Sequence, residues 1–94
     1  MRTKNTNKQQ MKYKIEIAPL ADYFVVAAKD IMTGELKEAF TLNESAADML
    51  RLFCEGKTPE EVSKDIASMY DAPLDLVIKD VSAFVEKLQL KEIY

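Results

Sequence analysis

The 94-residue sequence has no histidine, one cysteine and only two glycines. Without histidine, the chain lacks the commonest general base, the commonest metal ligand and any serine or cysteine nucleophile that histidine would activate. The single cysteine, Cys54, excludes an internal disulfide and is typical of a reducing compartment. We therefore expect no catalytic residue, no metal site and no bound cofactor.

Long apolar segments are also missing. A membrane-spanning helix needs about 18 or more consecutive apolar residues, and no such run is present. The N-terminus lacks the apolar core of a secretion signal. These absences predict a cytoplasmic protein that does not bind a membrane.

The composition is otherwise that of an ordinary globular chain, with 48% hydrophobic and 31% charged residues. The length fits one domain. Residues 1–10 are polar and basic, so we expect a disordered tail there and a single domain over residues 11–94. Charge is uneven: residues 1–43 carry a net charge of +2 and residues 44–94 carry −5, which together give −3.

The first half of the patterned region predicts three strands. Apolar and polar residues alternate from Met11 to Ile17, and Pro19 ends this first strand. Residues 23–28 are aromatic, β-branched or small, which indicates the central strand. A turn over residues 30–34 leads to a third strand at residues 36–42.

The third strand is expected at an edge of the sheet. Leu36, Phe40 and Leu42 are predicted on one side. Lys37, Ala39 and Thr41 are predicted on the other. Glu38 interrupts the apolar side, which an edge strand tolerates.

The second half predicts three helices. Asn43 offers a side-chain oxygen as the N-cap of the first helix, which Gly56 stops. The sequence Thr58-Pro59-Glu60-Glu61 combines a cap, a first-turn proline and a capping-box glutamate for the second helix. Pro73 opens the third helix. Its apolar stripe consists of Leu74, Val77, Ile78, Val81, Phe84, Val85 and Leu88.

This order of elements predicts an α+β fold, in which a three-stranded antiparallel meander is followed by three helices on one face. The second and third helices would form a helix-turn-helix, so the whole domain would be winged-helix-like.

Several of these segments together resemble the PqqD-like family. They are the block Leu42-Asn43-Glu44-Ser45-Ala46-Ala47, the Glu55-Gly56 stop, Thr58-Pro59-Glu60-Glu61-Val62 and the run from Asp80 to Leu88. Their order and spacing carry the resemblance, which extends over about residues 12–90. The chain departs from the family pattern at Glu55, where many members have Asp, and at Leu90-Lys91-Glu92, where a glycine usually ends the helix.

The resemblance implies a recognition element for ribosomally made, post-translationally modified peptides, as in coenzyme PQQ synthesis. In that family a leader peptide docks as an added strand on the third strand, beside the third helix. The domain then delivers the peptide to a modifying enzyme, often a radical S-adenosylmethionine protein. A non-catalytic peptide-binding module is therefore expected.

The residues expected to bind the peptide lie on two elements. On the third strand they are Lys37, Ala39, Phe40 and Thr41. An extended peptide can complete the free ladder of an edge strand, and small side chains leave room for it. On the third helix the candidates are Val77, Ile78, Val81 and Val85. Each of these apolar residues is also explained by simple packing in the core.

Two other classes of function remain open at this point. A winged helix often binds DNA, but the third helix carries Asp75, Asp80 and Glu86 against only two lysines, which disfavours a polyanion. The same edge strand would equally suit a protein–protein adaptor or a homodimer. The acidic helical half favours basic or neutral leader peptides.

Overall fold

The structure is a computed structural model that describes residues 11–94. It contains the strands β1 (Lys14–Leu20), β2 (Tyr23–Lys29) and β3 (Leu36–Leu42). The helices α1 (Glu44–Cys54), α2 (Pro59–Met69) and α3 (Leu74–Leu90) follow. The predicted α+β order of three strands and three helices is therefore confirmed. The disordered tail expected over residues 1–10 lies outside the described residues.

The three strands form one antiparallel sheet in the order β1-β2-β3. Val26 in the centre of β2 pairs with Ile17 of β1 and with Phe40 of β3. Its side chain is fully buried, as expected for the middle strand. The strands β1 and β3 are consequently the two edges of the sheet.

The connections between strands are short and locally stabilised. Ala21 adopts a left-handed φ of 56° in the two-residue turn between β1 and β2. In the β2–β3 hairpin, Oδ1 of Asp30 accepts hydrogen bonds from the backbone N–H groups of Met32 and Thr33. Gly34 supplies the positive φ of 76° that the hairpin requires.

A bulge interrupts the pairing of β2 with β3. Glu38 lies opposite Ala28 and Leu36 lies opposite Lys29, so Lys37 is the extra residue. The expectation that Leu36 shares the apolar side with Phe40 is wrong. Leu36 is 56% exposed, because the extra residue breaks the alternation of side chains.

Local hydrogen bonds fix where the helices begin and end. The side chain of Asn43 accepts a hydrogen bond from the N–H of Ala46 at the start of α1. Thr58 and Glu61 form a reciprocal capping box at the start of α2. At the end of α3, Glu92 takes a left-handed φ of 61° where a glycine is more usual, and the N–H of Ile93 bonds to the carbonyl of Leu88.

The core lies between the sheet and the helices. Its largest fully buried side chains are Phe53, Leu50, Leu88, Ile93, Val26, Val62 and Val81. The C-terminal Tyr94 packs against Phe53, with ring centroids 5.1 Å apart. The chain end is therefore part of the core. Among residues 11–94, no helix is long and apolar enough to cross a membrane.

Candidate functional site

The free edge of β3 is the first element of the candidate site. Its inner neighbour is β2, and no strand lies on its other side within residues 11–94. Apart from the pairing with β2, the structure gives no backbone hydrogen bond to residues 36–42 within that same range. One row of N–H and C=O groups along β3 is therefore available to a further strand.

Helix α3 faces β3 across a gap. Beyond its C-terminal end, Lys91 reaches the first half of β3, where its Nζ lies 3.1 Å from Oε2 of Glu38. The same ammonium lies 4.8 Å from the ring centroid of Phe40. Earlier turns of α3 line a space beside Asn43, just after the end of β3. Helix α3 thus runs in the opposite direction to β3.

A cavity of about 510 Å³ occupies the end of this gap near Asn43. Helix α1 contributes Ser45, Ala46 and Met49 to its walls, and α3 contributes Asp80, Ala83, Phe84 and Lys87. Its size falls within the usual range of ligand pockets. We call the region between β3 and α3, from this cavity to Lys91, the β3–α3 cleft; the cavity itself is lined by α1, α3 and Asn43 rather than by β3.

The cleft combines an apolar floor with a charged rim. Met49 and Phe84 are buried beneath it, whereas Asp80 and Lys87 on α3 are exposed. The exposed Ala83 between these two charges is small, which leaves the wall of the cleft open. Such a surface suits a segment that presents apolar side chains inward and its backbone towards β3.

The predicted residues of β3 fall on both faces of the strand. Ala39 and Thr41 are exposed and pair with Ala27 and Val25 on the sheet face away from the helices. Lys37 is the exposed bulge residue. Phe40 is half-buried and lies beneath Lys91 at the cleft.

The predicted residues of α3 lie apart from the cleft. Val77 and Val81 are 4% and 1% exposed and belong to the core. At 100° per residue, Ile78 and Val85 lie on the flank opposite to that of Asp80, Ala83 and Lys87. Ile78 is 46% exposed there, and Val85 is half-buried against the core.

The sequence interpretation therefore missed the flank of α3 that lines the cleft, formed by Asp80, Ala83 and Lys87. The apolar stripe marks the buried face of a helix, and either flank of that stripe can border a groove. The sequence offers one signal for this flank: the small Ala83 lies about one helical turn after the charged Asp80 and one turn before the charged Lys87.

A second cavity, of about 430 Å³, lies at the other edge of the sheet. Its walls are formed by Met11, Tyr13, Ile15, Phe53, Cys54, Glu55 and Gly56. Partial burial, assisted by the neighbouring Glu55 carboxylate, raises the pKa of the Cys54 thiol. A raised pKa leaves less thiolate at neutral pH, so Cys54 is a weak nucleophile.

The helical part contains one notable polar cluster, which lies outside both cavities. The hydroxyl of Tyr70 donates a hydrogen bond to Asp48, and this bond raises the pKa of Tyr70 to about 12. Arg51 bonds to the same carboxylate at 3.0 Å and lies over the ring of Phe24. This cluster ties α1 to α2 and to the sheet. In the part of the chain that the structure describes, no group of three or more His, Cys, Asp and Glu residues is placed to hold a metal ion.

Two solved structures resemble this fold over almost its whole length. The first is TbiB1 in complex with the TbiA(beta) leader peptide, with a TM-score of 0.69, 26% identity and coverage of 90% of this chain and 93% of that chain. The second is a lasso peptide synthetase B1 complexed with a leader peptide, with a TM-score of 0.65, 23% identity and coverage of 89% and 93%. No curated protein matches the sequence.

The family comparison agrees with the resemblance seen in the sequence. The model of the family described as coenzyme PQQ synthesis protein D (PqqD) matches residues 27–93. The match runs from the middle of β2 to the penultimate residue of the chain, and so includes β3, α3 and the cleft between them. The chain therefore belongs to the PqqD family.

Proposed function

We propose that this protein is a non-catalytic recognition module that captures the leader segment of a ribosomally made precursor peptide. The leader adds a fourth strand to β3 and is presented to a modifying enzyme, in PQQ biosynthesis or another pathway of peptide modification. The observation that carries the proposal is the unpaired edge of β3 beside the β3–α3 cleft.

The geometry supports strand addition in particular. An added strand takes affinity from main-chain hydrogen bonds and selectivity from the pockets that receive alternate side chains. The free edge of β3 offers the main-chain hydrogen bonds, and the cavity between α1 and α3 offers a pocket for side chains. Ala46 and Ala83 leave space for an incoming apolar side chain above the buried Phe84.

The two structural relatives support the nature of the ligand, since each is a complex with a leader peptide. The likeness covers 93% of each relative's chain. We extend that ligand class to this chain and take residues 11–94 as one recognition domain.

Within this proposal, the residues expected from the sequence have different roles. Four residues of β3 would lie beside the guest strand and contact it through their backbone and side chains: Lys37, Ala39, Phe40 and Thr41. Val77 and Val81 would support α3 from within the core. Ile78 and Val85 would bind the peptide only if it also reached the far flank of α3.

The modifying enzyme is the second partner of the proposal, with a radical S-adenosylmethionine enzyme as the first candidate. The site of action would be the cytoplasm, where precursor peptides are made. The single free thiol of Cys54 is compatible with that reducing compartment.

A display selection tests the proposal without knowledge of the natural precursor. Short random peptides are selected against the chain, and the TbiA(beta) leader serves as an additional probe. Selected peptides should bind with modest affinity, because a disordered peptide loses conformational entropy on binding. They should perturb the NMR signals of β3 and of Asp80, Ala83 and Lys87. If no peptide is enriched, or if the perturbed signals lie at β1, the proposal is wrong.

Light scattering distinguishes peptide capture from self-association. If the edge of β3 mainly pairs with a second copy, the chain is a dimer that selected peptides dissociate. The proposal expects a monomer that forms a complex with one peptide.

A further inference from the structure

Glu38, Phe40 and Lys91 form a group of contacts at the end of the β3–α3 cleft. Lys91 follows α3, and its ammonium reaches across the β3–α3 cleft to both residues of β3. A bridge between partly exposed side chains adds little stability, so the fold depends only weakly on this contact. Because Lys91 lies at the end of the cleft, its ammonium can contact a peptide that binds there.

We infer that Lys91 is a specificity residue that reads an acidic side chain in the bound peptide. This inference rests on the proposed function. A lysine ammonium has three donors, and in the described structure one of them bonds to Glu38. Two donors remain for a peptide carboxylate. The face of Phe40, 4.8 Å away, keeps the cation in place by a cation–π interaction.

The geometry of strand addition brings a peptide side chain to this position. Directly opposite residues of neighbouring strands have Cβ atoms about 5 Å apart. A peptide residue opposite Glu38 or Phe40 with its side chain on the helical face of the sheet therefore comes within reach of the ammonium. Asp or Glu at that position would share Lys91 with Glu38 or replace Glu38 as its partner.

The charges around the cleft agree with this preference. The charged side chains that the structure places at the cleft are Glu38, Asp80, Lys87 and Lys91, two acidic and two basic, although residues 44–94 as a whole are strongly acidic. Side-chain accessibility of Lys91 is 26%, so water screens its charge less than that of a fully exposed lysine. The cleft thus lacks the acidic excess that would repel an acidic peptide, in contrast to the preference for basic or neutral leaders expected from the overall charge.

Parallel selections of random peptides test the inference. They use the full chain, Lys91→Gln and the control Lys79→Gln, which removes the same charge from an exposed position of α3 outside the cleft. Peptides selected by the wild type and by the control should carry Asp or Glu at one fixed strand position. Peptides selected by Lys91→Gln should lack that preference.

The size of the acidic preference is the ratio of two affinities, that of one selected peptide and that of its Asp→Asn or Glu→Gln counterpart. Because the ammonium of Lys91 is partly exposed, an ion pair with the peptide corresponds to a preference of up to roughly fivefold for the acidic peptide. Lys91→Gln should abolish the preference. Glu38→Gln should increase it, because Lys91 then has no competing carboxylate.

The outcomes separate this inference from the proposed function. If peptides bind at β3 without an acidic preference, or with one that Lys91→Gln leaves unchanged, the inference is wrong and the peptide-binding function stands. If no peptide binds at all, the proposed function fails and the inference fails with it.

Discussion

The two edge strands of the sheet, β1 and β3, have different surroundings, although within residues 11–94 both carry an unpaired row of backbone groups. Pro19 near the end of β1 lacks an N–H group, and the chain just before β1 is already bonded to the C-terminus, from Lys12 N–H to the carbonyl of Ile93 at 3.0 Å. The strand β3 has no proline, and the structure, over residues 11–94, gives it no such contact with the terminus. Each edge lies near a cavity, but only that of β3 is bordered by α3.

The difference shows how a small domain with two open edges can accept a guest strand at one of them. At β1, proline and the tethered terminus protect the edge against pairing, as natural proteins commonly do. At β3, a backbone ladder and a pocket with an apolar floor occur together, which is what peptide recognition by strand addition requires.

The largest effect is expected from filling the cleft. Ala83→Trp places a large side chain in the space that the peptide would occupy and should weaken binding of a selected peptide by roughly 100-fold, because overlap with the guest replaces a favourable contact. Ser82→Trp adds the same side chain at an exposed neighbouring position outside the cleft. Fluorescence anisotropy compares the two. Equal affinities for both variants would contradict the placement of the site.

The C-terminal contact on the β1 side is tested by Ile93→Ala. Ile93 is fully buried, so its truncation should lower the free energy of unfolding by about 2–4 kcal/mol in urea denaturation. The matched control is Leu90→Ala, which should change stability by less than about 0.5 kcal/mol, because Leu90 is 82% exposed. Similar losses in both variants would mean that the terminus is not packed in the core.

A smaller effect distinguishes two N-cap residues, of which only one lies at the cleft. Asn43→Ala and Thr58→Ala should each cost about 1 kcal/mol of stability, since each side chain caps the first turn of a helix. Asn43 also lines the cleft, whereas Thr58 does not. Titration calorimetry should therefore show weaker peptide binding for Asn43→Ala alone. Weaker binding by both variants would point to general loosening of the fold.

The smallest expected effect concerns a contact remote from both edges. The hydrogen bond to Asp48 raises the pKa of Tyr70 from 10 to about 12, so the folded protein holds this proton more tightly than the unfolded chain. The resulting stability is complete below pH 10 and is lost as the pH rises towards 12. Ultraviolet titration of Asp48→Asn should show one tyrosine returning towards pKa 10, with peptide affinity unchanged. A tyrosine titration that is identical in wild type and variant would contradict this assignment.

Much of the fold was predictable because its signals are local. Alternation along the strands, the Asn43 cap and the box at Thr58 and Glu61 each act within a few residues, and the structure contains all of them. The bulge at Lys37 was not predictable, because it depends on pairing between strands. The left-handed Glu92 was also missed, because the packing of Ile93 imposes it on a residue that does not favour it.

The candidate site was only half predictable for a similar reason. The edge position of β3 follows from the order of strands in a meander. The flank of α3 that lines the cleft depends on how α3 packs against α2, which periodicity does not encode. The sequence therefore predicted the buried Val77 and Val81 as lining residues, while Asp80, Ala83 and Lys87 border the cavity.

Amide hydrogen exchange with and without a selected peptide tests the central claim most directly. If the peptide becomes a fourth strand on β3, the outward-facing N–H groups between Leu36 and Leu42 should exchange far more slowly in the complex, while the outer amides of β1 keep their rates. Protection along β1, or unchanged exchange along β3 in a saturated complex, would contradict the account.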